Sequence, residues 1–121
     1  MDIRVKATNF GIKESISSYL DERIATIQRH LGAEADKARL EVEIGRDAGH
    51  SQRGENWFAE LQLRVPGGSY ARVVAEGETV QAAIDEAKDE MLRKLRTSKR
   101  EHAGFLRKSG AALKRMLRMD N

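Results

Sequence analysis

The chain has 121 residues, no cysteine and one proline, with 22 Lys/Arg against 19 Asp/Glu and three His. That length suits one domain, and the lack of cysteine excludes a disulfide scaffold, a cysteine zinc site and thiol catalysis. No window approaches the ~18 apolar residues of a membrane helix, and the opening Met1–Val5 has no apolar run of a signal peptide, so the expected compartment is the cytoplasm.

The elements follow in chain order. Ile3, Val5 and Ala7 alternate with Arg4, Lys6 and Thr8, which predicts a half-buried strand. After Asn9-Phe10-Gly11, the residues Ile12, Ile16, Leu20, Ile24, Ile27 and Leu31 recur at helical spacing, and Gly32 is the expected stop. Leu40, Val42 and Ile44 alternate with Arg39, Glu41 and Glu43 in a second strand. A long loop over 47–55 follows, and then Trp57, Ala59, Leu61, Leu63 and Val65 alternate with Phe58, Glu60, Gln62 and Arg64. Pro66-Gly67-Gly68-Ser69 has the composition of a hairpin turn, leading into a strand over Tyr70–Glu76. Thr79 is the candidate N-cap of a second helix whose stripe is Val80, Ala83, Ile84, Ala87, Met91, Leu92 and Leu95. Past Leu95 the stripe fails. This β-α-β-β-β-α order predicts an α+β fold in two layers, a four-stranded sheet with both helices on one face. The first strand–helix–strand unit is expected as a parallel crossover and the remaining strands as a meander.

Charge is laid out unevenly along this frame. Ten of the 22 basic residues fall in 93–121, opposed only by Glu101 and Asp120, so that segment carries about +8 and the rest about −5. Helix macrodipoles favour late cations, but one turn of them would suffice, and ten exceed that need. At 100° per residue Arg93, Arg96 and Arg100 share the side away from the apolar stripe, and a row of guanidinium groups suits bidentate contact with phosphate. Beyond Gly104, Phe105, Leu106, Leu113, Met116 and Leu117 lie opposite Arg107, Lys108, Lys114, Arg115 and Arg118 on a helical wheel. Such a basic amphipathic tail suits an anionic membrane surface, a partner groove or RNA. Residues 103–121 are therefore set apart from a domain over 1–102, as a tail without order of its own when free.

Other residue types point to no reaction. His30, His50 and His102 lack metal-ligand spacing, and neighbouring acids such as Asp85 and Glu86 diverge by about 100° on the solvent side of the second helix, which makes no acid–base pair. No phosphate-binding glycine loop, nucleophile elbow or helical zinc motif occurs. The expectation is a binding protein, not an enzyme, with no cofactor, metal or small-molecule substrate. Phe58 and Tyr70, on the exposed strand faces, suit either base stacking or cross-strand pairing. Arg23 lies at the edge of the first helix's stripe, its stem laid along the apolar surface.

The run Ala75-Glu-Gly-Glu-Thr-Val-Gln-Ala-Ala-Ile-Asp-Glu86, continued by Met91-Leu-Arg-Lys-Leu-Arg96 and Lys99-Arg100, resembles the ribosome hibernation-promoting factors. That family includes the ribosome-associated translation inhibitors, also called sigma-factor modulation proteins. Ile3-Arg-Val-Lys-Ala-Thr8 and the helix bearing Ile16, Leu20, Arg23, Ile24 and Ile27 agree with it, so the resemblance covers about residues 1–102. It implies a fold similar to double-stranded-RNA-binding domains and a seat in the small-subunit cleft between head and body, where messenger and transfer RNA are blocked under stress. It also implies RNA contacts at Arg23, Arg29, Arg93, Lys94, Arg96, Lys99 and Arg100, and the tail adds Arg107 and Lys108 as candidates. Thr26 stands where some relatives carry a base, and the length matches the family's short form. The rival expectations are a general double-stranded-RNA module, or a membrane or protein adaptor acting through the tail.

Overall fold

The periodic segments become a four-stranded sheet with two helices. The structure, a computed structural model, describes residues 1–47, 57–68 and 70–98. The strands are β1 (Asp2–Thr8), β2 (Arg39–Arg46), β3 (Trp57–Arg64) and β4 (Tyr70–Gly77), in spatial order β1-β2-β3-β4. Helix α1 (Glu14–Leu31) joins β1 to β2 through a 3-10 turn over Gly32–Lys37, and α2 (80–98) follows β4. β1 pairs parallel with β2, and β2-β3-β4 is an antiparallel meander, as the pattern predicts. The expected loop over 47–55 lies, apart from Asp47, outside the described residues.

Local chemistry sets the joints. Gly32 ends α1 at φ +60°, a left-handed position that costs glycine little, and its N–H donates to the carbonyl of Gln28. Gly67, at φ +73°, follows Pro66 in a turn closed by the Gly68 N–H on the Val65 carbonyl at 2.9 Å. Thr79 caps α2 as expected, its Oγ1 accepting the Ala82 N–H at 3.0 Å. Gly77 lets the end of β4 run into that helix: a Cβ there would stand 2.7 Å from the backbone nitrogen of Ala83.

One apolar layer fills the space between helices and sheet. Leu20, Ile24 and Ile27 of α1 and Val80, Ala83, Ile84, Ala87, Met91, Leu92 and Leu95 of α2 share one cluster with Leu40, Val42 and Ile44 of β2, Ala59, Leu61 and Leu63 of β3, and Val73 and Ala75 of β4. Val73 is buried and the adjacent Val74 exposed, which settles the less clean alternation of β4.

β1 departs from its expectation. Ile3 and Val5 are opposite Leu40 and Val42 and so share their helix-facing side, yet they stay 37% and 44% exposed. β1 is an edge strand, and the two helices cover the sheet only inward of it. The predicted half-buried strand is therefore exposed along almost its whole length. Ile12, expected to open the stripe of α1, precedes the helix and is exposed as well.

Candidate nucleic-acid interface

Chain direction gathers the cations before any side chain is considered. β1 and β4 run the same way, because β1 is parallel to β2 and two antiparallel pairings separate β2 from β4. Each is followed by a helix that returns along the sheet. The C-terminal halves of α1 and α2 consequently reach the same end of the domain, where β2 and β4 begin. Arg29 of α1, Arg39 of β2, Arg64 at the end of β3, Arg72 of β4 and Arg93, Lys94 and Arg96 of α2 all belong to that end. The C-terminal end of the α1 macrodipole lies there as well, which also draws positive charge.

Its centre is an open cleft of about 560 Å³ between α2 and the free edge of β4. Tyr70, Ala71 and Arg72 form one wall, and Arg93, Lys94, Leu95, Thr97 and Ser98 the other. Among the described residues three of the lining side chains are cations and none is acidic. Lys94 Nζ donates to the Arg72 carbonyl at 2.7 Å, so the edge strand and the helix are fastened across the cleft floor. Arg93 reaches Glu86 at only 3.4 Å, and Arg72 is held by Glu60 through Nε at 2.9 Å. Arg96 is exposed and has no ion pair or hydrogen bond among the described residues.

The two exposed-face aromatics separate here. Gly45 lies opposite Phe58, and a Cβ at Gly45 would fall 2.5 Å from the ring, so Phe58 lies over the glycine and is half-buried. Tyr70 instead remains 56% exposed, with the Arg64 guanidinium 5.0 Å from its ring centroid. Sequence reasoning missed Arg64 and Arg72 as site residues. The signal was present: they flank the Pro66-Gly67 turn at outward positions of neighbouring strands, which brings them to the same sheet face.

The structure sets Arg23 apart from the other sequence-predicted cations. Its Nε donates to Asp85 Oδ1 at 3.0 Å and its Nη1 to Glu22 Oε2 at 2.9 Å, while the guanidinium stacks 3.6 Å over the Tyr19 ring. Tyr19 Oη donates to Asp85 Oδ2 at 2.5 Å. Arg23 thus ties α1 to α2, and Asp85 faces the other helix where open solvent was expected. Arg29 is exposed and donates to Thr26 Oγ1 at 3.2 Å. Lys99, Arg100, Arg107, Lys108 and the boundary at 102/103 lie outside the described residues.

The Asp85 cluster carries a pH signature. Burial opposes its charge, but the hydrogen bonds from Tyr19 and Arg23 and the attraction of Arg23 and Lys88 outweigh it, and its pKa lies below the ordinary value. Tyr19 is raised, first by its bond to Asp85 and then by burial. A depressed carboxyl pKa stabilises the fold above the unfolded value of about 3.9 and ceases to do so as pH falls through the folded value. Asp85→Asn is therefore expected to lower the urea midpoint at about pH 7, and the difference from the parent should shrink as pH falls below the ordinary carboxyl range, closing only once the folded Asp85 is itself protonated.

Among the described residues no group of three or more His, Asp or Glu could hold a metal, and no helix is long and apolar enough to cross a membrane. No curated protein matches the chain. Among solved structures, the crystal structure of the Thermus thermophilus Protein Y N-terminal domain is similar at 24% identity and TM-score 0.62, over 78% of this chain and 96% of that one. A ribosomal subunit interface protein from Coxiella burnetii is similar at 12% identity and TM-score 0.62, over 82% and 98%. These likenesses establish the fold. A family model described as sigma 54 modulation protein / S30EA ribosomal protein matches residues 3–103. With that match spanning the sheet, both helices and the cationic end, the chain belongs to the sigma 54 modulation protein / S30EA ribosomal protein family.

Proposed function

We propose that this chain binds the small ribosomal subunit through its cationic end and silences it by occupying the decoding cleft, in the cytoplasm, without catalysis or cofactor. The observation that carries the reading is the convergence of Arg29, Arg64, Arg72, Arg93, Lys94 and Arg96 at one end of a fold whose family is ribosomal. Folded RNA offers phosphate at high density, and a rigid array of guanidinium groups takes it in bidentate fashion. A body of this size seated between head and body of the subunit leaves no path for messenger or transfer RNA. Lys99, Arg100, Arg107 and Lys108 extend the same charge toward the C-terminus. Arg23 serves such binding by fixing the helix that bears the row.

The test is co-sedimentation of the full chain with small subunits across a salt series. With about six phosphates neutralised, log affinity should fall against log salt with a slope of about −4 to −5. Binding to naked duplex RNA as tight as to subunits would replace this reading with a general double-stranded-RNA module. Binding only to anionic vesicles would replace it with a membrane adaptor.

A further inference from the structure

We infer that the cleft between β4 and α2 is a pocket for one unpaired ribonucleotide, its base stacked on Tyr70 and its phosphate held by Arg93, Lys94 and Arg72. This deepens the ribosomal reading, and it rests on that reading for the source of the RNA. Tyr70 lines the cleft and Arg64 does not, although the Arg64 guanidinium stands 5.0 Å from the ring centroid. The ring thus has a guanidinium beside it and also lines the open cleft. Its exposure, 56%, is large for an aromatic in a strand.

The wall opposite offers what a nucleotide requires. Lys94 spends one of its three donors on the Arg72 carbonyl and keeps the others. Arg93 is exposed, with a single long contact to Glu86. Thr97 Oγ1 donates to the Arg93 carbonyl at 3.1 Å, so its oxygen accepts, as a ribose hydroxyl would ask. Among the described residues no carboxylate lines this cleft, Glu60 meeting the Arg72 guanidinium from outside the lining. By contrast, the hollow on the open sheet face sets Glu41, Glu43 and Glu60 against Arg4 and Lys6, a mixed surface less suited to phosphate. A base within a duplex has both faces covered by its neighbours, so an aromatic platform of this kind selects a nucleotide out of the stack.

Fluorescence anisotropy of the full chain tests this with two labelled probes, a short oligouridylate and an RNA duplex of equal length. Tyr70→Leu keeps a bulky apolar residue on the strand and removes the ring, and it should weaken oligouridylate binding about tenfold while leaving duplex binding unchanged. Tyr70→Phe keeps the ring and should bind like the parent. An unchanged oligouridylate affinity for Tyr70→Leu, or an equal loss on both probes, would overturn the pocket. Sedimentation with small subunits separates the two ideas. A chain that ignores subunits yet binds oligouridylate through Tyr70 refutes the ribosomal reading alone. One that sediments, but whose single-strand affinity is indifferent to Tyr70, refutes the pocket alone.

Discussion

Changing Arg93, Arg96 and Arg100 together to glutamate is expected to abolish co-sedimentation with small subunits at low salt, lowering apparent affinity a hundredfold or more. Each charge-assisted hydrogen bond to phosphate disappears and each site becomes repulsive, so the effect exceeds simple removal. The salt slope of any residual binding should shrink by about one for each phosphate that is no longer neutralised. Folding is expected to survive. Arg93 has only an exposed ion pair with Glu86, and Arg96 has no polar partner among the described residues. The cost is acid at a helix C-terminus, a few tenths of a kcal/mol per site. Arg4 and Lys6 of β1, changed likewise, are the control: they lie at the opposite edge of the sheet and should leave sedimentation intact. Unchanged sedimentation of the triple variant would overturn the assigned face.

Met91→Ala should act in the reverse sense, costing about 2–5 kcal/mol of stability with little change in affinity well below the transition. Met91 is fully buried and seats the half of α2 that carries the cations, where truncation leaves a cavity among α2 and sheet residues. The melting temperature should drop by roughly 10–20 °C and the urea midpoint should fall without a change in slope. Met91→Leu, which conserves volume, should cost less than about 1.5 kcal/mol. The two variants together separate recognition from folding: one loses RNA at full stability, the other loses stability with its recognition face intact. A Met91→Ala melting point equal to the parent's would refute the role given to this side chain.

Local rules made most of the fold legible. The stripes of both helices, the stop at Gly32, the cap at Thr79 and the Pro66-Gly67 turn all depend on residues within a few positions of one another. What escaped was long-range. Alternation told which side of β1 faces the helices, but not that the helices stop short of it and leave Ile3 and Val5 open. The wheel placed Asp85 on a solvent side, and only the approach of α1 brings Tyr19 and Arg23 to it. The row on α2 was visible because it lies on one element, whereas the cleft joins Tyr70 and Arg72 to helical residues about twenty positions later. Charge pattern could not distinguish Arg23 from Arg29, since their difference is the identity of a neighbour on another helix.

The open position of β1 has a consequence for how the molecule yields. None of its residues is buried, so its attachment rests largely on the backbone ladder to β2, on the Asp2 N–H bond to Ala38 and on the Thr8 hydroxyl bond to Glu43. A strand held in this way is the element expected to open first, because none of its residues belongs to the buried apolar cluster. The cleft lies at the far edge, with β2 and β3 between. Opening at the first strand and grip at the last are thus mechanically uncoupled: the domain can fray on one side while the other keeps the shape that recognition needs.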